Sequence, residues 1–204
     1  LRRELSDPTA LARTLARSDL EGIVIIDTRP DIDIFTENAL YAADRVIVPV
    51  KDAPSMDNCR HIYDFFDSHG LSRRPLRILP CLVDGRIHYA GPFRDPHQLL
   101  KASAINRGYR CLEGYIAKSP KVESLNTNPE GKIYPILTHG RHTDVHIQMT
   151  HVARQVYLNS IEAETRRLDE YRMQIAEAEA EQAAGRAALR SVGCWAHRFL
   201  APAC

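Results

Sequence analysis

Short apolar runs alternate along the first 120 residues with segments whose apolar residues recur at helical spacing. The runs show no polar alternation, which is typical of strands covered on both faces of a parallel sheet. Gly70 follows the longest of these helical segments, at a position suited to end a helix. The alternation predicts an α/β fold with a mostly parallel sheet flanked by helices. The predicted strands are residues 22–27, 45–50 and 76–83, and the predicted helices are residues 8–18, 34–43 and 55–69.

The second half of the chain continues with further predicted helices, one short strand and a loop. A helix and a short strand precede a polar loop rich in Pro, Asn and Ser, and one long helix is predicted from Thr143 onward. The apolar face of that helix is predicted to carry Ile147, Val152, Val156 and Leu158. The helix, strand and loop before it are predicted at residues 96–104, 110–116 and 119–131.

The last part of the chain has a different composition. Beyond Glu162, Ala, Glu and Arg dominate, and a seven-residue apolar spacing is present but weak. Three roles stay open for this segment: an exposed helical extension with mixed ion pairs, self-association, or docking of a partner. We therefore predict a main domain at residues 1–158 and a helical Ala/Glu/Arg-rich tail at residues 159–204.

A carboxylate stands at the end of the first apolar run. Asp27 and Thr28 directly follow Ile-Val-Ile-Ile, so the predicted strand delivers both side chains to the carboxyl edge of the sheet. Ligands of open α/β sheets bind beyond that edge, where an aspartate can hold a Mg²⁺ ion through its water shell. Capping of the next helix by Asp27 or Thr28 is the structural alternative. Arg29, next in the loop, can pair with phosphate or with Asp31 or Asp33.

The order of segments after this loop resembles a known family. Asp-Thr-Arg-Pro at residues 27–30 is followed by Thr-Glu-Asn-Ala-Leu at residues 36–40, by Ala-Ala-Asp, and by the run Val-Ile-Val-Pro-Val. This order closely resembles the ParA/Soj/MinD family of deviant-Walker P-loop ATPases, in which a hydrophobic strand ends in Asp-Thr-Pro-Pro. The match is tight over residues 22–54 and weaker over residues 76–83 and 131–157.

The resemblance implies an ATPase of plasmid or chromosome partitioning that binds ATP and Mg²⁺. It places Asp27 and Thr28 in the catalytic loop, with Asp27 ordering the water shell of Mg²⁺. It places Arg29 and Pro30 in the segment that responds to the γ-phosphate, although Arg29 stands where the family has the first of two prolines. The implied fold is that of a P-loop NTPase whose amino-terminal part is missing here, followed by a long C-terminal helix.

The resemblance also implies partners and a pocket for the adenine base. Asp84 and Lys118 are the candidates for that pocket, because the family holds the base with loops after its last core strands. The family forms homodimers around nucleotide, binds DNA without sequence preference, and is activated by a ParB-like protein on the nucleoid. Basic residues that could meet DNA phosphates are Arg73, Arg74, Arg77, Arg86, Arg94, Lys101 and Arg107.

One motif of the family does not occur in this sequence. No Gly-x-x-x-x-Gly-Lys-Ser/Thr segment is present, and Gly131-Lys132 lacks both the upstream glycine and the following hydroxyl residue. We therefore expect the carboxy-terminal portion of a longer ATPase, inactive without the missing loop. A natural pseudo-ATPase and a non-catalytic module that scaffolds the helical tail remain alternatives.

Charge and composition indicate where this protein acts and which partners it lacks. With 27 Lys and Arg against 26 Asp and Glu, the net charge of +1 gives no general attraction to polyanions. The sequence has neither an apolar run of membrane-spanning length nor a signal-peptide pattern. A cytoplasmic protein without a membrane partner is therefore expected.

Overall fold

The fold was taken from a computed structural model, which describes residues 6–18, 20–125, 127, 134–161 and 167–198. The chain is a mixed α/β protein with a two-stranded parallel sheet, and its internal packing divides it into two compact units. The sheet unit comprises the described residues of 44–164, and the helical unit comprises those of 1–43 and 165–204. The elements are α1 (Ala10–Ala16), α2 (Ile34–Ala42), β1 (Val46–Val50), α3 (Ala53–Ser68), β2 (Leu76–Pro80), α4 (Pro96–Asn106), α5 (Pro120–Leu125), α6 (Ile136–His139), α7 (Asp144–Ile161) and α8 (Arg167–Arg198).

The sheet consists of one β-α-β unit. β1 and β2 run parallel, with Val46 opposite Leu76, and α3 forms the connection between them. Val48, Val50 and Ile78 are buried, so these strands contribute to the core of the sheet unit. The strand predicted at residues 45–50, the helix predicted at residues 55–69 and the parallel pairing are thereby confirmed.

A third segment pairs with β2 less regularly than predicted. The strand predicted at residues 110–116 is present as two isolated parallel bridges, from Cys111 and Ala117. Gly114 has φ +86° between them, a left-handed conformation that interrupts an extended chain. β2 itself ends at Pro80 and not at the predicted residue 83, because Leu82 has φ +54°.

α3 begins and ends with local signals that the sequence carries. The Asp52 carboxylate accepts a hydrogen bond from the Ser55 N–H at 2.9 Å, and the Ser55 hydroxyl in turn accepts one from the Asp52 N–H at 3.0 Å. At the other end Gly70 adopts φ +64°, which allows the chain to leave the helix. The buried residues of α3 are Met56, Cys59, Tyr63, Phe65 and Phe66.

Amide side chains of α7 form hydrogen bonds with the backbone of residues 111–117, the third segment that pairs with the sheet. The Gln155 side chain accepts a hydrogen bond from Glu113 N–H at 2.9 Å and donates one to Glu113 C=O at 2.8 Å. Gln148 accepts one from Ala117 N–H at 2.7 Å. The predicted apolar face of this helix was partly wrong: Val152 and Val156 pack on the core together with Val145, whereas Ile147 and Leu158 are exposed.

The helical unit is held by hydrogen bonds between helix ends and side chains of its neighbours. Asn38 on α2 is buried, accepts a hydrogen bond from Leu11 N–H at 3.0 Å and so caps the first turn of α1. Two arginines of α8 reach carbonyls at the ends of the other helices: Arg167 donates to Leu40 C=O at 2.7 Å, and Arg172 donates to Ala16 C=O at 3.1 Å.

The strand predicted at residues 22–27 was wrong. These residues are described, but no strand is assigned to them, and Ile25 is 89% exposed. A strand exists through hydrogen bonds to a neighbouring strand, and no described residue supplies such bonds to this run. Asp27 consequently lies at the end of an exposed extended segment and not at the edge of a sheet.

Two further predictions concern the loop and the tail. Within the polar loop predicted at residues 119–131, the short helix α5 occupies Pro120–Leu125, and Gly131-Lys132 lies outside the described residues. After α7 ends at Ile161, α8 occupies Arg167–Arg198. No helix among the described residues is both long enough and apolar enough to cross a membrane.

Candidate functional site

The loop that carries the predicted catalytic residues is open to solvent. Asp27, Thr28, Arg29 and Pro30 are all exposed and follow the unpaired apolar run. Within the described parts of the chain, the Asp27 carboxylate makes no hydrogen bond and no ion pair. Its oxygens are therefore available to water or to a cation.

The end of this loop is ordered by a helix cap. Asp33 accepts hydrogen bonds from the N–H groups of Phe35 at 3.1 Å and Thr36 at 3.0 Å, and so begins α2. The Thr36 hydroxyl also donates to the Asp31 C=O at 2.8 Å. Because Asp33 is the cap, the alternative in which Asp27 or Thr28 caps this helix is wrong.

The position of Arg29 can be inferred from the electrostatics of the cap. The hydrogen bond from the Thr36 N–H holds the pKa of Asp33 below its usual value, and the nearby Arg29 guanidinium lowers it further. No ion pair within 4 Å joins Arg29 to a described carboxylate. The Arg29 guanidinium therefore favours the ionised form of Asp33. The N–H donors of Arg29 remain available to another anion.

Asp84 and Lys118, the candidates for an adenine pocket, lie together in the sheet unit. Lys118 N–H donates to Val83 C=O at 2.8 Å, next to the bridge between Val83 and Ala117. The Asp84 carboxylate is bound by Arg86 through two hydrogen bonds, of 2.9 and 2.6 Å. Arg86 holds the pKa of Asp84 well below its usual range, and Lys118 contributes in the same direction. Asp84 is therefore an ion-paired carboxylate, and its role in an adenine pocket stays a prediction.

Several of the basic residues proposed for DNA contact are already paired. Arg73 binds Asp67, Arg86 binds Asp84 and Arg107 binds Asp57. An exposed pair of this kind contributes little to stability, but it reduces the positive charge that a phosphate meets.

A cavity of about 240 Å³ lies where the ends of α3 and α4 approach the start of β2. Arg73 and Arg74 were among the predicted basic residues, whereas Tyr63 and Arg110 were not recognised from the sequence. The sequence does carry one signal for this cavity. Gly70 and Gly108 each end a helix, and each is followed within a few residues by arginine. The residues that line the cavity are Tyr63, Ser72, Arg73, Arg74, Gly108 and Arg110.

A metal ion at the candidate site would depend on Asp27. Among the described residues, no three His, Cys, Asp or Glu side chains come together as ligands for a metal ion. Mg²⁺ commonly binds through one or two carboxylates, several waters and substrate phosphates, so the open Asp27 carboxylate fits such a role without further protein ligands.

Comparisons with known proteins return no match: no family model matches the chain, and no curated protein or solved structure is significantly similar to it. The ParA-like interpretation of the Asp27 loop stays a prediction from the residues.

Proposed function

We propose that this chain acts in a ParA-like ATPase of plasmid or chromosome partitioning, with the phosphate-binding loop contributed by residues outside these 204. The observation that carries the proposal is the Asp27-Thr28 loop: an open carboxylate precedes a capped helix α2, and α2 precedes the parallel pair of β1 and β2. Along the chain, this order of loop, helix and strands is the order found in the family that the residues resemble.

In this proposal each residue of the loop has a physical role. Asp27 holds Mg²⁺ through water, and the ion supplies positive charge to the phosphates when it is bound. Thr28 and Pro30 shape the loop beside the γ-phosphate, and Arg29 offers a bidentate donor to it. Phosphoryl transfer depends mainly on such positioning and charge stabilisation, so no strong general base is required among these residues.

The proposal includes assembly and localisation. The ATP-bound protein forms a homodimer, associates with DNA without sequence preference through unpaired surface arginines, and has its hydrolysis stimulated by a ParB-like partner. Arg74 and Arg94 are suited to DNA contact, because neither guanidinium is paired with a carboxylate among the described residues. Such a protein works in the cytoplasm at the nucleoid.

The test is nucleotide binding and Mg²⁺-dependent hydrolysis by the full-length gene product, by the 204-residue chain, and by Asp27→Ala in the full-length product. We expect Asp27→Ala to lower Mg²⁺-dependent hydrolysis by about 10- to 100-fold, the usual effect of losing a group that orders a metal site. Asp31→Ala is the matched control, because Asp31 is an exposed carboxylate of the same loop whose backbone C=O, not its side chain, binds Thr36.

A different outcome would favour a different class of function. If the full-length product binds no nucleotide, or if Asp27→Ala and Asp31→Ala have equal effects, the ATPase proposal is wrong. The exposed run Ile23, Val24 and Ile25 then favours a non-catalytic interaction module, because three adjacent exposed β-branched residues are suited to pair with a strand of another protein.

A further inference from the structure

α3 and α4 end in the same kind of turn, and the two turns line one cavity. Gly70 has φ +64° and Gly108 has φ +73°, so both glycines adopt the left-handed conformation of a helix C-terminus. The first turn leads into residues 72–74, and the second leads into Tyr109 and Arg110. The hydrogen bonds that close the turns are Gly70 N to Asp67 O at 3.1 Å, Leu71 N to Phe66 O at 2.7 Å, Gly108 N to Ile105 O at 2.8 Å and Tyr109 N to Ala104 O at 2.9 Å.

The sheet fixes the second turn from the other side. Ile78 N–H donates to Arg110 C=O at 2.8 Å, and Leu112 N–H donates to Ile78 C=O at 2.9 Å. Arg110 is therefore anchored at its backbone while its side chain is exposed. The fixed backbone places the Arg110 side chain at the cavity, while the guanidinium itself is ordered only when a ligand binds.

Tyr63 lines the cavity, but its hydroxyl is buried and has no partner among the described residues. Tyr63 is 3% exposed, and its ring stacks on Tyr109 with the ring centroids 3.8 Å apart. In the part of the chain that the structure describes, the Tyr63 hydroxyl has no hydrogen-bond partner. Burial raises the pKa of Tyr63 to about 12, so the group stays a protonated donor at neutral pH. This hydroxyl is closed to solvent, so Tyr63 contributes its ring and not its hydroxyl to the wall of the cavity.

The charges around the cavity are positive and incompletely neutralised. Arg73 lies over the Tyr63 ring at 5.4 Å and is paired with Asp67. Arg74 and Arg110 have no carboxylate partner among the described side chains. Burial lowers the pKa of the adjacent Arg77, and repulsion from Arg110 and Arg45 lowers it further. An anion at this position would relieve that repulsion.

We propose that this cavity is a binding site for a phosphate group, held by the guanidinium groups of Arg74 and Arg110. Phosphate oxygens accept several hydrogen bonds at once, and arginine is the side chain best matched to them. Sites for drug-sized ligands measure roughly 300–1,000 Å³. At about 240 Å³ the cavity takes the phosphate group itself, with the remainder of any larger ligand outside.

This inference goes beyond the proposed ATPase function; it shares Arg74 with the proposed DNA contact but does not depend on the Asp27 site. All the residues of the cavity belong to the sheet unit, whereas Asp27 belongs to the helical unit. Asp27→Ala is expected to leave phosphate binding unchanged, so the failure of one proposal is distinguishable from the failure of the other.

The experiment is an NMR titration of the ¹⁵N-labelled 204-residue chain with inorganic phosphate, with sodium chloride adjusted to keep the ionic strength constant. We expect saturable shifts at the amides of residues 72–74 and 108–110. Arg74→Gln and Arg110→Gln are each expected to weaken binding by about tenfold or more, since each removes a charged donor. Tyr63→Phe is expected to leave both phosphate affinity and the fold unchanged, because it removes a hydroxyl that is unpartnered among the described residues and closed to solvent.

Arg154→Gln is the matched control, because Arg154 is an exposed arginine of the same unit that lies outside the cavity. It is expected to leave phosphate affinity unchanged. The proposal is overturned if phosphate produces no saturable shift at the cavity, or if Arg154→Gln weakens binding as much as Arg74→Gln does. In the second case the attraction is a general charge effect and not a site.

Two sources of the phosphate group are separated by competition at fixed salt. A short DNA duplex is added to the phosphate-saturated protein, and the same amides are followed. Displacement of phosphate assigns the site to the phosphodiester backbone of nucleic acid. Retention of phosphate assigns it to a free or terminal phosphate. Both results require the site itself, and if the duplex binds there, Arg74→Gln must also weaken binding of the duplex in the absence of phosphate.

Discussion

Two apolar runs of nearly the same composition have different structures in this protein. Residues 46–50, Val-Ile-Val-Pro-Val, form β1, with Val50 at 1% exposure. Residues 23–26, Ile-Val-Ile-Ile, form no strand, and Ile25 is 89% exposed. The difference lies in the partner: β1 has β2 beside it, whereas no described residue pairs with the other run. A strand-forming sequence is therefore insufficient without a neighbour to bind its backbone.

The same contrast applies to the two candidate sites. The Asp27 loop follows the unpaired run, so nothing before it fixes the position of the carboxylate. The cavity at Arg74 and Arg110 is anchored by two helix-ending turns and by the start of β2. Functional groups need positions held within about 0.5 Å, which favours sites on packed elements. A partner strand for residues 23–26 would therefore be a condition for activity at Asp27.

The largest expected effect separates the two regions by stability. Phe66 on α3 is fully buried, so Phe66→Ala is expected to lower the free energy of unfolding by about 3–5 kcal/mol. Ile25→Ala removes an exposed side chain and is expected to change it by no more than about 0.5 kcal/mol. Urea unfolding followed by far-UV circular dichroism measures both. Equal losses for the two variants would mean that residues 23–26 are packed, and the contrast would disappear.

A second, smaller effect tests the packing of the helical unit. Asn38→Ala leaves the N–H of Leu11 without its acceptor, and the expected loss is about 1–3 kcal/mol. Hydrogen exchange of the Leu11 amide is expected to become faster in the same variant. Asn58→Ala, an exposed asparagine on α3, is the control. If exchange at Leu11 is unchanged, Asn38 does not cap α1.

The elements that could be predicted from the sequence are those defined by local signals. α2 and α3 have capping aspartates and an apolar face, and β1 and β2 follow from continuous apolar runs. The strand predicted at residues 22–27 was wrong because pairing depends on a distant segment, which local pattern does not reveal. The resemblance of the Asp27 loop to a family does not supply that pairing.

The cavity could not be predicted for a related reason. Tyr63 and Arg110 are 47 positions apart in the sequence and meet because two helix ends converge on β2. The edge-covering role of α7 was not predicted, because Gln148 and Gln155 bind backbone groups that lie 31 and 42 positions away in the sequence. Both features depend on tertiary contacts between side chains and backbone, which residue type and spacing do not encode.

A third effect tests how the sheet edge is closed. Gln155→Ala removes two hydrogen bonds to Glu113, but the freed backbone groups are exposed and can bind water. The expected loss is therefore about 1 kcal/mol. Gln98→Ala on α4 is the control, because Gln98 is exposed. Urea unfolding measures the loss, and an unchanged midpoint for Gln155→Ala would show that the edge needs no cover.

The smallest expected effect is a pH dependence in the sheet unit. His97 stacks on Tyr115 with the ring centroids 4.1 Å apart. Burial lowers the pKa of His97 in the folded state; Asp95 opposes this shift and Lys101 adds to it. The unfolded chain therefore takes up a proton on this residue at higher pH than the folded chain does.

The stability that depends on neutral His97 is thus present above its unfolded pKa, near 6.5, and decreases as pH falls toward the folded pKa. We expect the urea midpoint of the wild-type chain to decrease from pH 7.5 to pH 5.5 by more than that of His97→Gln, which does not titrate. The difference between the two proteins isolates this residue from the other histidines. If the two midpoints decrease in parallel, His97 is not buried in its neutral form, and the packing of α4 beside Tyr115 is looser than its stacking distance indicates.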